Sequence, residues 1–189
     1  PNGSGKTTLL TMLTGDNPKA YGQNITLFGV KKGSGESIWE IKRKIGYITP
    51  AMTELFSGRH TVEQMIISGL YDSIGLYKTP TITEQILATK WIDLIGMQED
   101  QNCYFSKLSE EKQCLVLIAR AMIKRPPLLI LDEPSHGLDD HEAGLLTSLI
   151  NKISRESKTA IIYVSHKSEK GLNPTHIFEL KPSTMGSTG

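Results

Sequence analysis

The chain opens with a glycine-rich turn whose residue types suit phosphate binding. Gly3-Ser4-Gly5-Lys6-Thr7 supplies most of the pattern G-x-x-x-x-G-K-[ST], and the first glycine of that pattern is expected just before Pro1. Glycines let backbone N–H groups point at an anion, and the following helix N-terminus adds partial positive charge. We expect Lys6 to bridge the outer phosphates of a nucleotide and the Thr7 hydroxyl to bind Mg²⁺. The alternative, a glycine-rich turn present by chance, is disfavoured by the helical apolar pattern that follows.

Two acidic residues follow an apolar stretch in the second half of the chain. Residues 128–131 read Leu-Leu-Ile-Leu, as a buried parallel strand should, and Asp132 and Glu133 come directly after them. An acidic residue at such a strand end suits Mg²⁺, held directly or through water, and Glu133 suits a general base for an attacking water. Taken alone, an Asp-Glu pair there is usually a solvated strand end. Its occurrence downstream of a phosphate loop favours the functional interpretation.

A histidine ends a second apolar stretch. Residues 160–164 read Ala-Ile-Ile-Tyr-Val and are followed by Ser165 and His166. A single histidine at a strand end is more often structural. Because both earlier motifs are present, we interpret His166 as a side chain at the sheet edge that reaches a γ-phosphate.

The elements that must position these residues alternate between strand and helix. The patterns predict strands at 24–28, 45–48, 128–131, 160–164 and 176–180, and helices at 7–13, 37–44 and 141–156. Capping boxes at Thr61 and Thr81, and Ser109, predict three helix starts within a helical insertion. Leu87, Trp91, Leu94 and Ile95 form the apolar stripe predicted for the second of these helices. The alternation predicts an α/β fold with a mainly parallel central sheet flanked by helices.

Four parts of the chain follow from these patterns. We expect residues 1–60 to form the phosphate-loop part of the core, with its first strands upstream of Pro1. Residues 61–125 would form the helical subdomain and residues 126–180 the rest of the core. The small polar residues 181–189 are expected to be a disordered tail.

Composition argues against nucleic acid and membrane partners and against a disulfide framework. The balance of 21 basic and 20 acidic residues gives no reason to expect nucleic acid or an anionic membrane. Cys103 and Cys114 lack CxxC spacing, which favours a reducing, cytoplasmic setting over a disulfide framework or a metal site. No apolar run approaches the roughly 18 residues of a membrane span. Membrane association is therefore expected only through another subunit.

The ordered set of motifs resembles the nucleotide-binding domain of ABC-type ATPases. The phosphate loop, an LSxxxQ-like segment, LLILDEP, GLD and VSH occur in that order between residue 1 and about residue 180. The stretches TGDNPKAY, LFGVKKGSGESIWEIKRKIGY and DSIGLY are similar to the C-terminal ATP-binding half of soluble tandem ABC proteins linked to molybdate transport. The resemblance implies a P-loop NTPase fold, ATP and Mg²⁺ as ligands, and ATP hydrolysis.

The resemblance also implies roles for particular residues. The positions that match ATP-binding residues are Asn2, Gly3, Ser4, Gly5, Lys6, Thr7 and Thr8. Thr7 and Asp132 match the Mg²⁺ side, and the catalytic positions are Glu133, His166 and Lys6. Ser109, Glu111 and Asp139 match positions that face a second ABC domain, because two such domains sandwich two ATP molecules in this family. A membrane permease is a further partner that the resemblance allows but the residues do not indicate.

The signature segment and residue 50 depart from the family pattern. The signature LSGGQ reads Leu-Ser-Glu-Glu-Lys at residues 108–112, so Ser109 keeps its hydroxyl while Glu110 and Glu111 replace glycines. A carboxylate at 4 Å from a γ-phosphate costs roughly 4 kcal/mol at an effective dielectric of about 20, which pairing with Lys112 would reduce. Alternatively, the two glutamates simply favour a helix N-terminus by about 0.3–1 kcal/mol. Pro50 stands where the family has a glutamine that contacts Mg²⁺ and the permease, so that side-chain oxygen is missing.

Two functions remain open on the sequence. The first is an ATP-hydrolysing ABC module with Glu133 as base and a composite site closed by a partner domain. The second is a binding and switching module in which ATP closes an interface with little turnover, as the altered signature suggests. A soluble ATPase of DNA repair or translation is a remoter alternative, because no convincing nucleic-acid surface is present.

Overall fold

A computed structural model of the chain describes residues 6–14, 24–31, 35, 37–56 and 58–180. The described residues fall into two compact units, one within residues 1–45 and 173–189 and the other within Gly46–Leu172. Asn2, Gly3, Ser4 and Gly5 of the predicted phosphate loop lie outside the described residues, as does the predicted tail at 181–189.

The described part of the first unit contains two helices and a short hairpin. Helix α1 spans Lys6–Thr14, strands β1 and β2 span Thr26–Leu27 and Val30–Lys31, and α2 spans Ile38–Arg43. The antiparallel β1 and β2 are joined by Phe28 and Gly29, whose φ angles of 51° and 80° are typical of a tight two-residue hairpin turn. The strand predicted at 24–28 is therefore reduced to two residues, because Phe28 already belongs to the turn.

A three-stranded sheet, which except for Ile45 belongs to the second unit, is predicted well by the sequence. Strands β3 (Ile45–Ile48), β4 (Leu128–Asp132) and β5 (Ala160–Val164) lie in that order. β4 and β5 are parallel, with Asp132 opposite Val164 at the end of the ladder. Because parallel strands end at the same edge, the residues after β4 and those after β5 leave the sheet side by side.

Five α-helices lie in the described part of the second unit. They are α3 (Met52–Leu55), α4 (Val62–Ser68), α5 (Ile82–Leu94), α6 (Glu110–Met122) and α7 (Asp140–Glu156), and a single 3₁₀ turn at Phe105–Lys107 precedes α6. The capping boxes of Thr61 and Thr81 form as predicted, with each hydroxyl accepting a backbone N–H three residues on. Helix α6 is the central one, since its residues from Val116 to Met122 are all buried.

A close approach between α4 and α6 fixes the helical part of this unit. A Cβ at Gly69 would lie 1.9 Å from the Arg120 carbonyl oxygen, so the backbones meet where only glycine fits. The Arg120 side chain is buried beside this contact, where Nε donates to Ser68 Oγ and Nη2 to the Ser73 carbonyl, at 3.1 and 2.8 Å. Its guanidinium lies 4.6 Å from the Phe56 ring centroid. Burial lowers the pKa of Arg120.

The structure extends the predicted face of one helix and corrects one predicted strand. On α5 the fully buried residues are Ala88 and Ile92, and the predicted stripe of Leu87, Trp91, Leu94 and Ile95 is only partly buried at the rim of the core. The face of α5 that packs against the core is thus wider than the predicted stripe, because it also includes Ala88 and Ile92. The strand predicted at 176–180 does not form, because an apolar pattern needs a neighbouring strand and no ladder within the described residues includes this segment.

Candidate active site

The edge of the sheet beyond β4 and β5 brings two predicted catalytic side chains together. His166 Nδ1 lies 3.4 Å from Glu133 Oε1. The His166 side chain is half exposed and that of Glu133 is about a quarter exposed, so solvent or a ligand reaches both. Asp132, the last residue of β4, is partly buried directly before Glu133. The register of the two parallel strands therefore brings together Glu133 and His166, which lie far apart in the sequence.

Glu133 has an unusual backbone conformation. Its φ is 49°, in the left-handed region that residues other than glycine rarely occupy. Its N–H donates to the Val164 carbonyl at 2.9 Å, and its own carbonyl accepts from His136 N–H at 3.0 Å in a turn. Such a conformation costs on the order of 1–3 kcal/mol and is found most often at functional sites. The last ladder bond and the turn hold Glu133 so that its carboxylate faces the β5 side.

A third acidic residue joins the loops on which Glu133 and His166 lie. Glu169 Oε1 accepts hydrogen bonds from Ser135 Oγ at 2.6 Å and from Ser165 Oγ at 3.0 Å. Ser165 Oγ in turn accepts from the Lys167 N–H at 3.1 Å. Ser135 is buried. The nearby Tyr163 hydroxyl is also removed from water, and its burial raises the pKa of that group to about 12. None of Ser135, Ser165 or Glu169 was among the site residues predicted from the sequence.

A cleft of about 200 Å³ lies on one side of Glu133. Pro50, Glu110, Glu133 and His136 are among the residues that line it. Pro50 thus lies in the same cleft as Glu133, at the position where the family resemblance led us to expect a glutamine. The Thr53 hydroxyl donates to the Pro50 carbonyl at 2.8 Å, and Thr49 and Thr53 also line the cleft.

The altered signature begins helix α6. Ser109 is the N-cap, and its Oγ accepts the Lys112 N–H at 3.4 Å. Glu110 and Glu111 occupy the first turn, where acidic residues complement the helix dipole. Glu110 reaches Gly137 within the same unit, since a Cβ at that glycine would lie 2.5 Å from Glu110 Oε2. The first of the two substituted positions therefore contacts the loop between β4 and α7.

The main partner of Lys112 is not one of the signature glutamates. Lys112 Nζ instead lies 2.6 Å from Asp100 Oδ2, and this hydrogen bond is the main reason that the pKa of Lys112 is raised. The helical geometry explains the choice, because Lys112 stands only one and two residues after the glutamates and points to another face. Glu111 lies near Cys114, whose thiol donates to the Pro134 carbonyl at 3.3 Å. Burial, with a smaller contribution from Glu111, raises the pKa of Cys114 to about 12.

The remaining predicted residues occupy helix starts. Asp139 is the N-cap of α7, where its Oδ1 accepts the Glu142 N–H at 2.8 Å and Glu142 Oε2 accepts the Asp139 N–H at 2.9 Å. Lys6, Thr7 and Thr8 form the first turn of α1 in the other unit, where the sequence predicts a helix. Among the described residues, no three His, Cys, Asp or Glu side chains lie close enough to hold a metal ion by themselves.

The fold matches solved ABC cassettes. cbiO1 from Clostridium perfringens, part of the ABC transporter complex cbiONQ, superposes with a TM-score of 0.75 at 23% identity, covering 88% of this chain and 64% of that one. The dimeric structure of MJ0796, a bacterial ABC transporter cassette, gives a TM-score of 0.71 at 22% identity, covering 88% of this chain and 72% of that one. The described elements thus have the α/β fold of a P-loop NTPase in its ABC cassette form.

Sequence comparison gives the family. The ABC transporter family model matches residues 1–136. The ABC transporter ATP-binding protein ModF of Escherichia coli (strain K12) is 42% identical over 170 residues, which are 89% of this chain. The chain therefore belongs to the ABC transporter family and is an ABC-type ATP-binding domain. It spans 35% of the length of ModF. In the described part of the chain, no helix combines the length and apolar composition that a membrane crossing needs.

Proposed function

We propose that this chain binds and hydrolyses ATP, with Glu133 as the general base. The observation that carries the proposal is the placement of Glu133, held at a φ of 49° with its carboxylate 3.4 Å from His166 at the end of two parallel strands. A base that is fixed and partly shielded from water is prepared to orient an attacking water molecule. His166, at the same edge and half exposed, is available to contact the γ-phosphate.

The ligand side of the proposal rests on the chemistry of the residues. Mg²⁺ commonly takes one or two carboxylates and completes its octahedron with phosphate oxygens and water. Asp132 is a carboxylate of this kind, and we assign the Thr7 hydroxyl as a second protein ligand. Bound Mg²⁺ would neutralise charge on the β- and γ-phosphates. Those phosphates would be held by Lys6 and by the backbone of the phosphate loop, whose residues are Asn2, Gly3, Ser4, Gly5, Lys6, Thr7 and Thr8.

The proposed working unit contains two cassettes. MJ0796 has been solved as a dimer, including a post-hydrolysis state with ADP and Pi, and ModF is almost three times as long as the matched segment. We infer that a second ABC domain, in tandem or as a separate subunit, closes the site of this one. Residues 1–60 and 126–180 would form the catalytic core, and residues 61–125 would present Ser109 and Glu111 to the partner, with Asp139 of the core beside them. The resemblance to tandem ABC proteins linked to molybdate transport suggests molybdate as the solute. We place the chain on the cytoplasmic side of the membrane.

The test is single-turnover hydrolysis by the full-length protein that carries this chain. Glu133→Gln keeps the shape of the side chain but cannot accept a proton, so the rate at this site should fall by about 10²–10⁴-fold. ATP affinity, measured separately with a fluorescent analogue, should change little. An unchanged hydrolysis rate would overturn the enzymatic proposal.

The second candidate is an ATP-dependent switch with little turnover. It is favoured by one observation: Glu110, at the position of a signature glycine, lines the same cleft as Glu133. Two carboxylates in one cleft disfavour a nearby phosphate. If the signature restrains turnover, Glu110→Gly and Glu111→Gly should raise the single-turnover rate, and the wild-type protein should bind ATP with little release of phosphate. Rates in both variants that stay at or below wild type would contradict the switch.

A further inference from the structure

We propose that Glu169 is a positioning residue for the Glu133–His166 pair. This inference rests on the proposed function, in which that pair acts on the γ-phosphate and the attacking water. Glu169 itself lies on the loop after β5, three residues beyond His166, and is partly buried. Its carboxylate accepts hydrogen bonds from two serines that flank the pair, so its effect passes through the residues it binds.

One oxygen of Glu169 joins the two loops that carry the pair. Oε1 accepts from Ser135 Oγ, two residues after Glu133, and from Ser165 Oγ, one residue before His166. The distances are 2.6 and 3.0 Å, and hydrogen bonds to a charged carboxylate are stronger than those between neutral groups. The loop that follows Glu133 and the loop that carries His166 are thus both hydrogen-bonded to the same oxygen atom of Glu169.

The surroundings make this tie specific. Ser135 is 3% exposed, so water does not readily replace Glu169 as the acceptor for its hydroxyl. Ser165 is held at the same time by the Lys167 N–H, which fixes the backbone on both sides of His166. On the other loop, the turn from Glu133 to His136 contains Ser135. Losing the shared acceptor would therefore free both loops together.

Positioning predicts a loss of turnover without a loss of ATP binding. A displacement of about 1 Å in a catalytic group can lower a rate by about 10²-fold. Glu133 and His166 follow separate strands, and the β4–β5 ladder together with this tie sets their separation. In the proposed function the ATP phosphates are held mainly by Lys6 and the phosphate loop, so we expect the affinity for ATP to be retained.

The experiment compares three variants of the full-length protein. Glu169→Ala removes the acceptor, Glu169→Gln keeps Oε1 as a neutral acceptor, and Lys170→Ala is the matched control. Lys170 is the next residue, and its 3.8 Å pair with Asp140 is almost fully exposed. Single-turnover rate, ATP affinity and hydrogen exchange of the peptides that cover residues 133–139 and 165–171 are measured for each.

We expect Glu169→Ala to lower the rate by about 10- to 100-fold with ATP affinity within about twofold of wild type. Exchange in both peptides should rise together. Glu169→Gln should keep most of the rate and protection, and Lys170→Ala should match wild type. A wild-type rate in Glu169→Ala, unchanged exchange, or equal losses in the Ala and Gln variants would overturn the proposal.

The exchange measurement separates this proposal from the proposed function. If Glu133→Gln hydrolyses ATP as fast as wild type, the function proposed for the site fails. The coupled rise in exchange of the two peptides then decides by itself whether Glu169 ties the loops.

Discussion

Asp139 has a structural role that competes with the one suggested by the family resemblance. Its carboxylate caps α7 in a reciprocal capping box with Glu142. The same position is expected to communicate with a partner domain. A single side chain can do both, because a cap uses one oxygen and leaves the other accessible at the exposed helix start.

Two substitutions at Asp139 separate these roles. Asp139→Ala should lower the stability of α7 by about 1 kcal/mol, because the Glu142 N–H loses its acceptor. Asp139→Asn keeps a good cap and should change stability by only about a few tenths of a kcal/mol. Hydrogen exchange of the α7 peptides gives both values. Equal losses in the two variants would mean that the charge, rather than the cap, stabilises the helix start.

Glu133 marks the limit of residue-by-residue prediction. The sequence identifies it as the acidic residue after an apolar strand, and its neighbour His166 is identified by the same reasoning. Their 3.4 Å separation follows from the strand register, and the left-handed φ follows from a backbone bond to Val164. Neither is encoded in the local pattern, because both depend on the following strand, which a whole helix separates from Glu133 in the sequence.

Helix starts are the elements that the sequence determines most fully. The capping boxes at Ser37, Thr61 and Thr81 form as the residue types require, because each uses groups only three residues apart. Packing faces are less determined. Helix α5 buries Ala88 and Ile92 completely and the residues of its predicted stripe only partly, because the neighbouring elements decide which side chains are covered.

The approach of α4 to α6 gives a prediction at the scale of elements. Gly69→Ala would place a Cβ 1.9 Å from a backbone oxygen, which cannot move aside as a flexible side chain can. We expect a loss of about 3 kcal/mol in the free energy of unfolding, at the upper end of the usual cost of overpacking. Urea unfolding of the full-length protein measures it.

Gly144→Ala is the matched control for this substitution. Gly144 lies inside α7, and nothing lies within 4 Å of the position that an added methyl group would take. Alanine should therefore add up to about 1 kcal/mol of stability there. A loss at Gly69 no larger than the change at Gly144 would contradict the close approach of the two helices.

At the scale of the whole molecule, pairing with a second cassette gives a prediction about shape. Glu133→Gln blocks hydrolysis in our proposal, so ATP should hold the two cassettes closed in this variant. Small-angle scattering and sedimentation should show a more compact particle if the cassettes share a chain, or a dimer if they do not. ADP is the control and should leave the particle open. The absence of any nucleotide-dependent change would contradict the proposed pairing.

The sequence by itself determined the family, the strands of the central sheet and the identity of Glu133 and His166, because these depend on local residue order. Tertiary structure alone decided that Pro50 and Glu110 share a cleft with Glu133 and that Lys112 pairs with Asp100. It also joined Ser135 and Ser165 through Glu169. Apart from Ser165 and Glu169, which are four positions apart, the residues in these contacts are 12 or more positions apart in the chain. No local pattern records such distant contacts, because only the packing of the chain creates them.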